Sequence, residues 1–179
     1  MRELRGSMPE HARALGSEKI VERVAACAAF GRAASVGLFW PMLERNEVDV
    51  RRLDTIARTQ NKAVSYPFLE AEGEMTLRIA APDELRTGAH AFAEPPADAP
   101  EAEVDSRLVI IVPALAVDLG GHRIGYGRGL YDRMLARAAP PAFSIAVAFD
   151  FQLLAELPRT DADWPVAMVM TDLRECLVP

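Results

Sequence analysis

One run of five residues constrains this chain more than any other. Leu108-Val109-Ile110-Ile111-Val112 is apolar throughout and mostly β-branched, so a strand built from it carries an apolar side chain on both faces of its pleat. Only a sheet covered on both sides buries such a strand. Shorter runs of the same kind recur at Ser35 to Trp40, stopped by Pro41, at Lys62 to Tyr66, ended by Pro67, at Phe143 to Phe149, and at Val166 to Met170. Met75 to Ala80 reads as a strand with one wetter face. Between these runs the apolar period lengthens to 3.6 residues. Ser17 can cap a helix that continues to about Arg32, with Ile20, Val24, Cys27 and Ala28 on one face. Glu47 to Gln60 is amphipathic through Val50, Leu53, Ile56 and Ala57. Leu130 to Ala139 is helical, and Phe151 to Leu157 is a short helix. Buried strands alternating with helices predict an α/β fold with a mainly parallel sheet and right-handed crossovers. At 179 residues, one domain over 1–179 is expected.

Composition removes several classes of function. Half of the residues are apolar, far more than a disordered chain carries. No apolar run reaches the roughly 18 residues that a bilayer span requires. Met1-Arg2-Glu3-Leu4-Arg5-Gly6 leads into mixed polar sequence rather than an apolar leader, so the expected compartment is the cytoplasm. A formal net charge of -6 speaks against nucleic acid or an anionic membrane as partner and leaves small molecules. Cys27 and Cys176 are too few for a disulfide framework, and with His11, His90 and His122 they show no zinc-ligand spacing. Cys27 lies among Ala25, Ala26, Ala28 and Ala29, which offer nothing to lower a thiol pKa, so it reads as a packed core group. The proline-rich, acidic stretch 94–105 reads as a surface connection, since neither flank alone closes a core.

Chemistry concentrates in the segment after the most apolar strand. Between Pro113 and Arg133 fall Asp118, Gly120, Gly121, Arg123, Gly125, Tyr126, Gly127, Arg128, Gly129, Leu130, Tyr131 and Asp132, so five of the chain's eleven glycines lie within ten residues. Ligands of open α/β sheets bind beyond the carboxyl ends of strands. A glycine-rich loop there presents successive backbone N–H groups to an anion, and the N-terminus of the next helix adds partial positive charge. Arg123 and Arg128 are planar donors suited to phosphate or carboxylate, and Asp132 can hold Mg²⁺ beside phosphate oxygens. The alternative is a long turn whose glycines only supply positive φ. Neither a Walker A motif nor a Rossmann fingerprint fits the spacing. Asp118 reads as an organiser of the following turn, while Tyr126 and Tyr131 read equally as packing groups or contacts.

Val112-Pro113-Ala114-Leu115-Ala116-Val117-Asp118, then Gly121-His122-Arg123-Ile124-Gly125-Tyr126-Gly127-Arg128-Gly129-Leu130-Tyr131-Asp132-Arg133, strongly resembles the signature of 5-formyltetrahydrofolate cyclo-ligases, also called methenyltetrahydrofolate synthetases. The likeness runs along most of the chain. Leu4-Arg5, Phe39-Trp40-Pro41, Glu47-Val48-Asp49, Tyr66-Pro67, Met75, Glu94-Pro95, Leu157-Pro158, Asp163 and Thr171-Asp172 occur in the family's order. The resemblance implies a three-layer α/β fold of the NagB/RpiA/CoA-transferase-like architecture. It also implies ATP- and Mg²⁺-dependent closure of 5-formyltetrahydrofolate to 5,10-methenyltetrahydrofolate, with ADP and phosphate released. By the same resemblance, ATP is bound by Arg5, Arg123 and the loop residues Gly125, Tyr126, Gly127, Arg128, Gly129, Leu130 and Tyr131, with Arg128 also the catalytic residue. Trp40, Glu47, Arg128 and Leu130 match the folate site, and Asp132 and Asp163 match the Mg²⁺ ligands. Such an enzyme is expected to work as a monomer on small molecules.

Each of these residues also has a plainer reading. Glu47 suits the first turn of its helix, where negative charge is favourable. Trp40 and Met75 suit a core, and Asp163 suits a turn cap. Three positions depart from the family pattern: Met1 stands where a lysine is expected, Leu130 replaces a tyrosine, and Ala167 stands where many members carry an acidic residue. Arg2 is the substitute cation for that lysine in ATP binding, and a start site placed too late is the other explanation of Met1. A nucleotide- or folate-binding relative without turnover is therefore a second reading. A different phosphate-substrate enzyme on the same fold is a third.

Overall fold

The computed structural model describes residues 1–88 and 92–178, so His90 lies outside the described residues. The elements follow in the order α1 (Arg2–Gly6), α2 (Glu10–Ala26), α3 (Ala28–Arg32), β1 (Ser35–Gly37), α4 (Arg51–Thr59), β2 (Ala63–Leu69), β3 (Met75–Ile79), β4 (Arg86–Thr87), β5 (Ala93–Glu94), β6 (Leu108–Pro113), β7 (Ala116–Asp118), β8 (Arg123–Ile124), α5 (Leu130–Ala138), β9 (Phe143–Val147), β10 (Leu153–Leu154), β11 (Met168–Met170) and β12 (Glu175–Leu177). Seven strands form the main sheet in the order β12-β11-β9-β6-β1-β2-β3. The inner five run parallel, and β12 and β3 close the two edges antiparallel. This is a mixed α/β fold with a large, mostly parallel central sheet flanked by helices.

The β-branched run sits where its composition requires. Val109 and Ile111 of β6 join a core with Ile20, Val21 and Val24 of α2 and Leu53 of α4. Leu108, Ile110 and Val112 face the other way, onto Met134, Leu135 and Ala138 of α5. Helices therefore cover both faces. Truncating Ile111, 1% exposed, to Ala would cost about 2–5 kcal/mol, because the packed surround cannot collapse into the gap.

Several elements differ from the sequence expectation, each for a local reason. The first long helix begins at Glu10, not Ser17, and Ser17 sits buried inside it, its Oγ accepting the Asp49 N–H at 3.0 Å. It ends at Ala26, where Cys27 turns extended and its Sγ accepts the Phe30 N–H to start α3. Cys27 is nonetheless packed against the core, as expected. Pro67 does not stop β2, which runs on to Leu69. Ser65 turns its carbonyl to the Leu38 N–H, so Pro67, two residues on, faces the same side beyond the end of β1, where no N–H is needed. The helix expected over Phe151 to Leu157 is absent. A 3₁₀ turn, Asp150–Gln152, and the short β10 replace it. Buried Gln152 makes the difference: its Oε1 accepts the Phe149 N–H, and its Nε2 donates to the carbonyls of Ala114 and Leu115.

Candidate active site

The parallel strands end at one rim, and the chain departs from that rim as loops. Phe39 and Trp40 follow β1, Pro67 lies at the far end of β2, and Ala114 and Leu115 follow β6. Together with Met75 they line a cavity of about 580 Å³. Beyond the carboxyl ends of parallel strands, backbone N–H groups and loop side chains face a ligand rather than a neighbouring strand. Every residue that the resemblance matched to ATP, folate or Mg²⁺ lines this one cavity: Arg2, Arg5, Trp40, Glu47, Arg123, Gly125, Tyr126, Gly127, Arg128, Gly129, Leu130, Tyr131, Asp132 and Asp163.

Glu47 is not in a helix. Asn46, in the left-handed region at φ 53°, ends a 3₁₀ turn over Leu43–Arg45 and redirects the chain. Its Nδ2 donates to the carbonyls of Arg5 and Gly6, which ties α1 to this turn. The Glu47 carboxylate is thereby carried inward to 3% exposure. Its Oε2 accepts the Met42 N–H at 2.9 Å, and its Oε1 accepts the Tyr126 hydroxyl at 3.2 Å. Burial pushes its pKa above the ordinary carboxylate range, against the Met42 N–H, the Arg5 charge, the Tyr126 hydroxyl and the Arg45 charge. Arg5, also buried, donates through one nitrogen to the Tyr126 oxygen at 2.7 Å, while its Nε has no partner. Trp40 meets Tyr66 edge to face, with centroids 6.1 Å apart. Tyr66 is held in turn by its hydroxyl on the Asp54 carboxylate, which Arg58 also binds.

The opposite wall is backbone. Gly127 and Gly129 have φ of +82° and +59°, and at Gly125 and Gly127 a Cβ would meet no protein atom within 4 Å. The loop is open on its cavity side and runs directly into the first turn of α5, with Gly129 as N-cap. The N–H groups of that first turn have no partner inside the helix and carry partial positive charge. Arg123 underpins the loop from below: its side chain is 3% exposed, one nitrogen donates to the Trp164 carbonyl at 2.7 Å, and another pairs with Asp132 at 3.1 Å. Asp118 behaves as the turn organiser expected of it, accepting the His122 and Leu157 N–H groups.

The model of the 5-formyltetrahydrofolate cyclo-ligase family matches residues 1–172. The chain belongs to this family. It is 36% identical over 128 residues to a 5-formyltetrahydrofolate cyclo-ligase of Mycolicibacterium smegmatis, a match spanning 72% of this chain but only 63% of that relative. The solved 5,10-methenyltetrahydrofolate synthetase of Aquifex aeolicus superimposes with a TM-score of 0.83 at 30% identity, covering 98% of this chain and 88% of that one. A synthetase from Mycoplasma pneumoniae shares the fold, with a TM-score of 0.75 at 17% identity over 95% of this chain and 93% of that one.

Membership in the cyclo-ligase family raises the question of a divalent cation, and the donor set fits one. Asp132 and Asp163 both border the cavity. Asp132 commits Oδ1 to Arg123 and the Trp164 N–H, and Asp163 commits Oδ2 to the N–H and hydroxyl of Thr160. Each thus keeps its other oxygen outside these bonds, and two carboxylates leave most positions of an octahedral ion to water and phosphate oxygens. Among the described residues no group of three acidic, His or Cys side chains gathers to hold a metal alone, and no helix is long and apolar enough to cross a membrane. Arg45 was not legible from sequence. Its guanidinium lies 4.9 Å from the Tyr126 ring centroid and that of Arg2 lies 5.3 Å away, and no motif marks such a contact. Arg2, the substitute cation expected for the departure at Met1, lines the cavity with Arg5, Arg45, Arg123 and Arg128.

Proposed function

We propose that the protein closes 5-formyltetrahydrofolate to 5,10-methenyltetrahydrofolate in a reaction that consumes ATP in the presence of Mg²⁺ and releases ADP and phosphate. One observation carries this reading: a buried carboxylate, Trp40 and an open, arginine-flanked glycine loop line a single cavity. Glu47 accepts hydrogen bonds from an aminopyrimidine edge, and Trp40 suits its flat face. The N–H groups of Gly125 to Tyr131 and the guanidinium of Arg5 take the phosphates, with Arg123 bracing the loop and Leu130 between the two ligands. Asp132 and Asp163 would hold Mg²⁺, which neutralises phosphate charge when bound.

The formyl oxygen is a poor leaving group until it is phosphorylated. That oxygen takes the γ-phosphoryl of ATP, ADP departs, N10 attacks the formyl carbon, and phosphate leaves with the former formyl oxygen as N10 gives up its proton. The protein positions the two substrates and neutralises charge on the transferring phosphoryl group, which is the work assigned to Arg128. We assign the chain as one catalytic domain over 1–179, of the NagB/RpiA/CoA-transferase-like architecture, acting as a cytoplasmic monomer on small molecules.

The test is direct. Purified protein with 5-formyltetrahydrofolate, ATP and Mg²⁺ should generate the near-ultraviolet absorbance of the methenyl product, and omission of ATP should abolish it. Tight binding of both substrates with a flat trace would instead identify a binding relative without turnover.

A further inference from the structure

α1 is a helix that its own sequence cannot sustain. It has five residues and no side-chain N-cap, and a helix this short has little stability in isolation. Nor does apolar burial hold it. Leu4, its one large apolar side chain, is 60% exposed, and its single buried residue is Arg5. Met8 packs against the core and anchors the chain beyond it, so the pose of α1 itself rests on polar contacts.

The last carbonyls of a helix need donors from outside it. Ser7 serves two of them locally, its N–H donating to Glu3 and its hydroxyl to Leu4. The next two, on Arg5 and Gly6, accept from the Asn46 side-chain nitrogen at 2.9 and 3.2 Å, and Arg5 also accepts the Met8 N–H at 3.3 Å. Asn46 is thus a C-terminal cap supplied from a distant turn, and it acts on the backbone of the very residue whose guanidinium lines the cavity. The tip of Arg5 adds bonds to the Ala114 carbonyl and the Tyr126 oxygen, while its buried Nε has no partner and is a donor ready for an anion. Resting on the phosphate role given to Arg5 above, we propose that α1 is a docked arm of the nucleotide site and that Asn46 is the positioning residue that fastens it. Arg5 meets a ligand only while α1 is docked, so nucleotide affinity scales with the docked fraction. Nucleotide, binding the docked form, holds the arm down in return.

Asn46→Gly and Asn46→Asp both remove the donors and keep a residue that tolerates the φ of 53°, so the turn that delivers Glu47 survives. Amide exchange of the full chain, read over residues 2–8, should speed up about fivefold or more in both variants with the central strands unchanged. The β,γ-imido analogue of ATP with Mg²⁺ should restore protection there. Calorimetric titration should show affinity for that analogue weakened about five- to tenfold, as two lost hydrogen bonds imply, and affinity for 5-formyltetrahydrofolate weakened less. Exchange over residues 2–8 that neither variant changes, or that already matches unfolded chain in the wild type, would overturn the docked arm. Equal loss of both affinities, with faster exchange in the strands as well, would make Asn46 an ordinary structural residue. Intact analogue affinity beside a loosened α1 would deny that Asn46 positions Arg5. Wild-type protein that binds no analogue would sink the proposed function and the nucleotide role of the arm with it, and exchange over residues 2–8 would then decide its docking alone.

Discussion

The two walls of the cavity are built by opposite means. On one, Arg5 and Glu47 are 4% and 3% exposed, placed by packing of α1 and the 3₁₀ turn, with Arg2 and Arg45 beside them exposed. On the other, Tyr126 is 38% exposed and the glycines beside it meet no side chain. The packed wall has already met its desolvation cost during folding. The loop wall leaves open space beside Gly125 and Gly127, so a ligand can approach its backbone closely. On the function proposed above, specific recognition belongs to the packed wall and charge neutralisation to the open one.

The sharpest way to break this contrast is Arg128→Ala. If the loop wall acts mainly on charge developing during transfer, turnover should fall by about 10²–10³ while the melting temperature stays put. A collapsed melting temperature with preserved turnover per folded molecule would mean that Arg128 is structural. Gly127→Val comes next. Its φ of +82° costs a β-branched residue roughly 1–2 kcal/mol, and its side chain would fill the space open to ligand. Titration should show nucleotide affinity weakened about tenfold or more with folate affinity unchanged; equal weakening of both would deny the division between walls. Glu47→Gln should do the reverse, raising KM for folate about tenfold through the lost charged acceptor and leaving nucleotide affinity nearly intact.

The loop wall was far more legible in the sequence than the packed wall. Glycines, arginines and Asp132 sit within one short segment, and their gathering at one cavity follows from that spacing and from the strand before them. Glu47 could not be read from its surroundings, because its placement depends on Asn46 adopting a left-handed turn and on contacts with α1, 40 residues away. A carboxylate ahead of an amphipathic stretch looks like a helix start, and only the family resemblance pointed elsewhere. The same blindness to tertiary partners misplaced the start of α2 at Ser17, whose hydroxyl serves Asp49 rather than a helix end. Strand order and the antiparallel edges likewise depend on pairings that no local pattern encodes. The central sheet was legible because β-branched runs bounded by helical periods admit few alternatives.

The smallest effect sharpens the contrast within a single segment. Glu47 and Asp49 lie two residues apart and titrate in opposite senses. Burial lifts Glu47, whereas hydrogen bonds from the Arg51 side chain, and then its backbone N–H, hold Asp49 below the ordinary range. A folded-state pKa above the unfolded value means the native protein holds that proton more tightly, so the Glu47 contribution to stability is present at low pH and fades as pH rises through the raised value. The Asp49 contribution runs the other way, present above the unfolded carboxylate pKa and lost as pH falls through the depressed one. Melting curves recorded from mildly acidic to neutral pH should therefore show Glu47→Gln gaining on wild type as pH rises. Asp49→Asn should lose its deficit only in stronger acid. Function separates the pair further: with Arg5, Arg45, Tyr126 and Tyr131 as the charged and titratable groups around it, Glu47 must be ionised to accept an aminopyrimidine edge. Folate affinity should then decline, as pH falls, at a higher pH than an ordinary carboxylate would give. That decline should vanish in Glu47→Gln and persist in Asp49→Asn; the opposite pattern would place the recognition charge elsewhere.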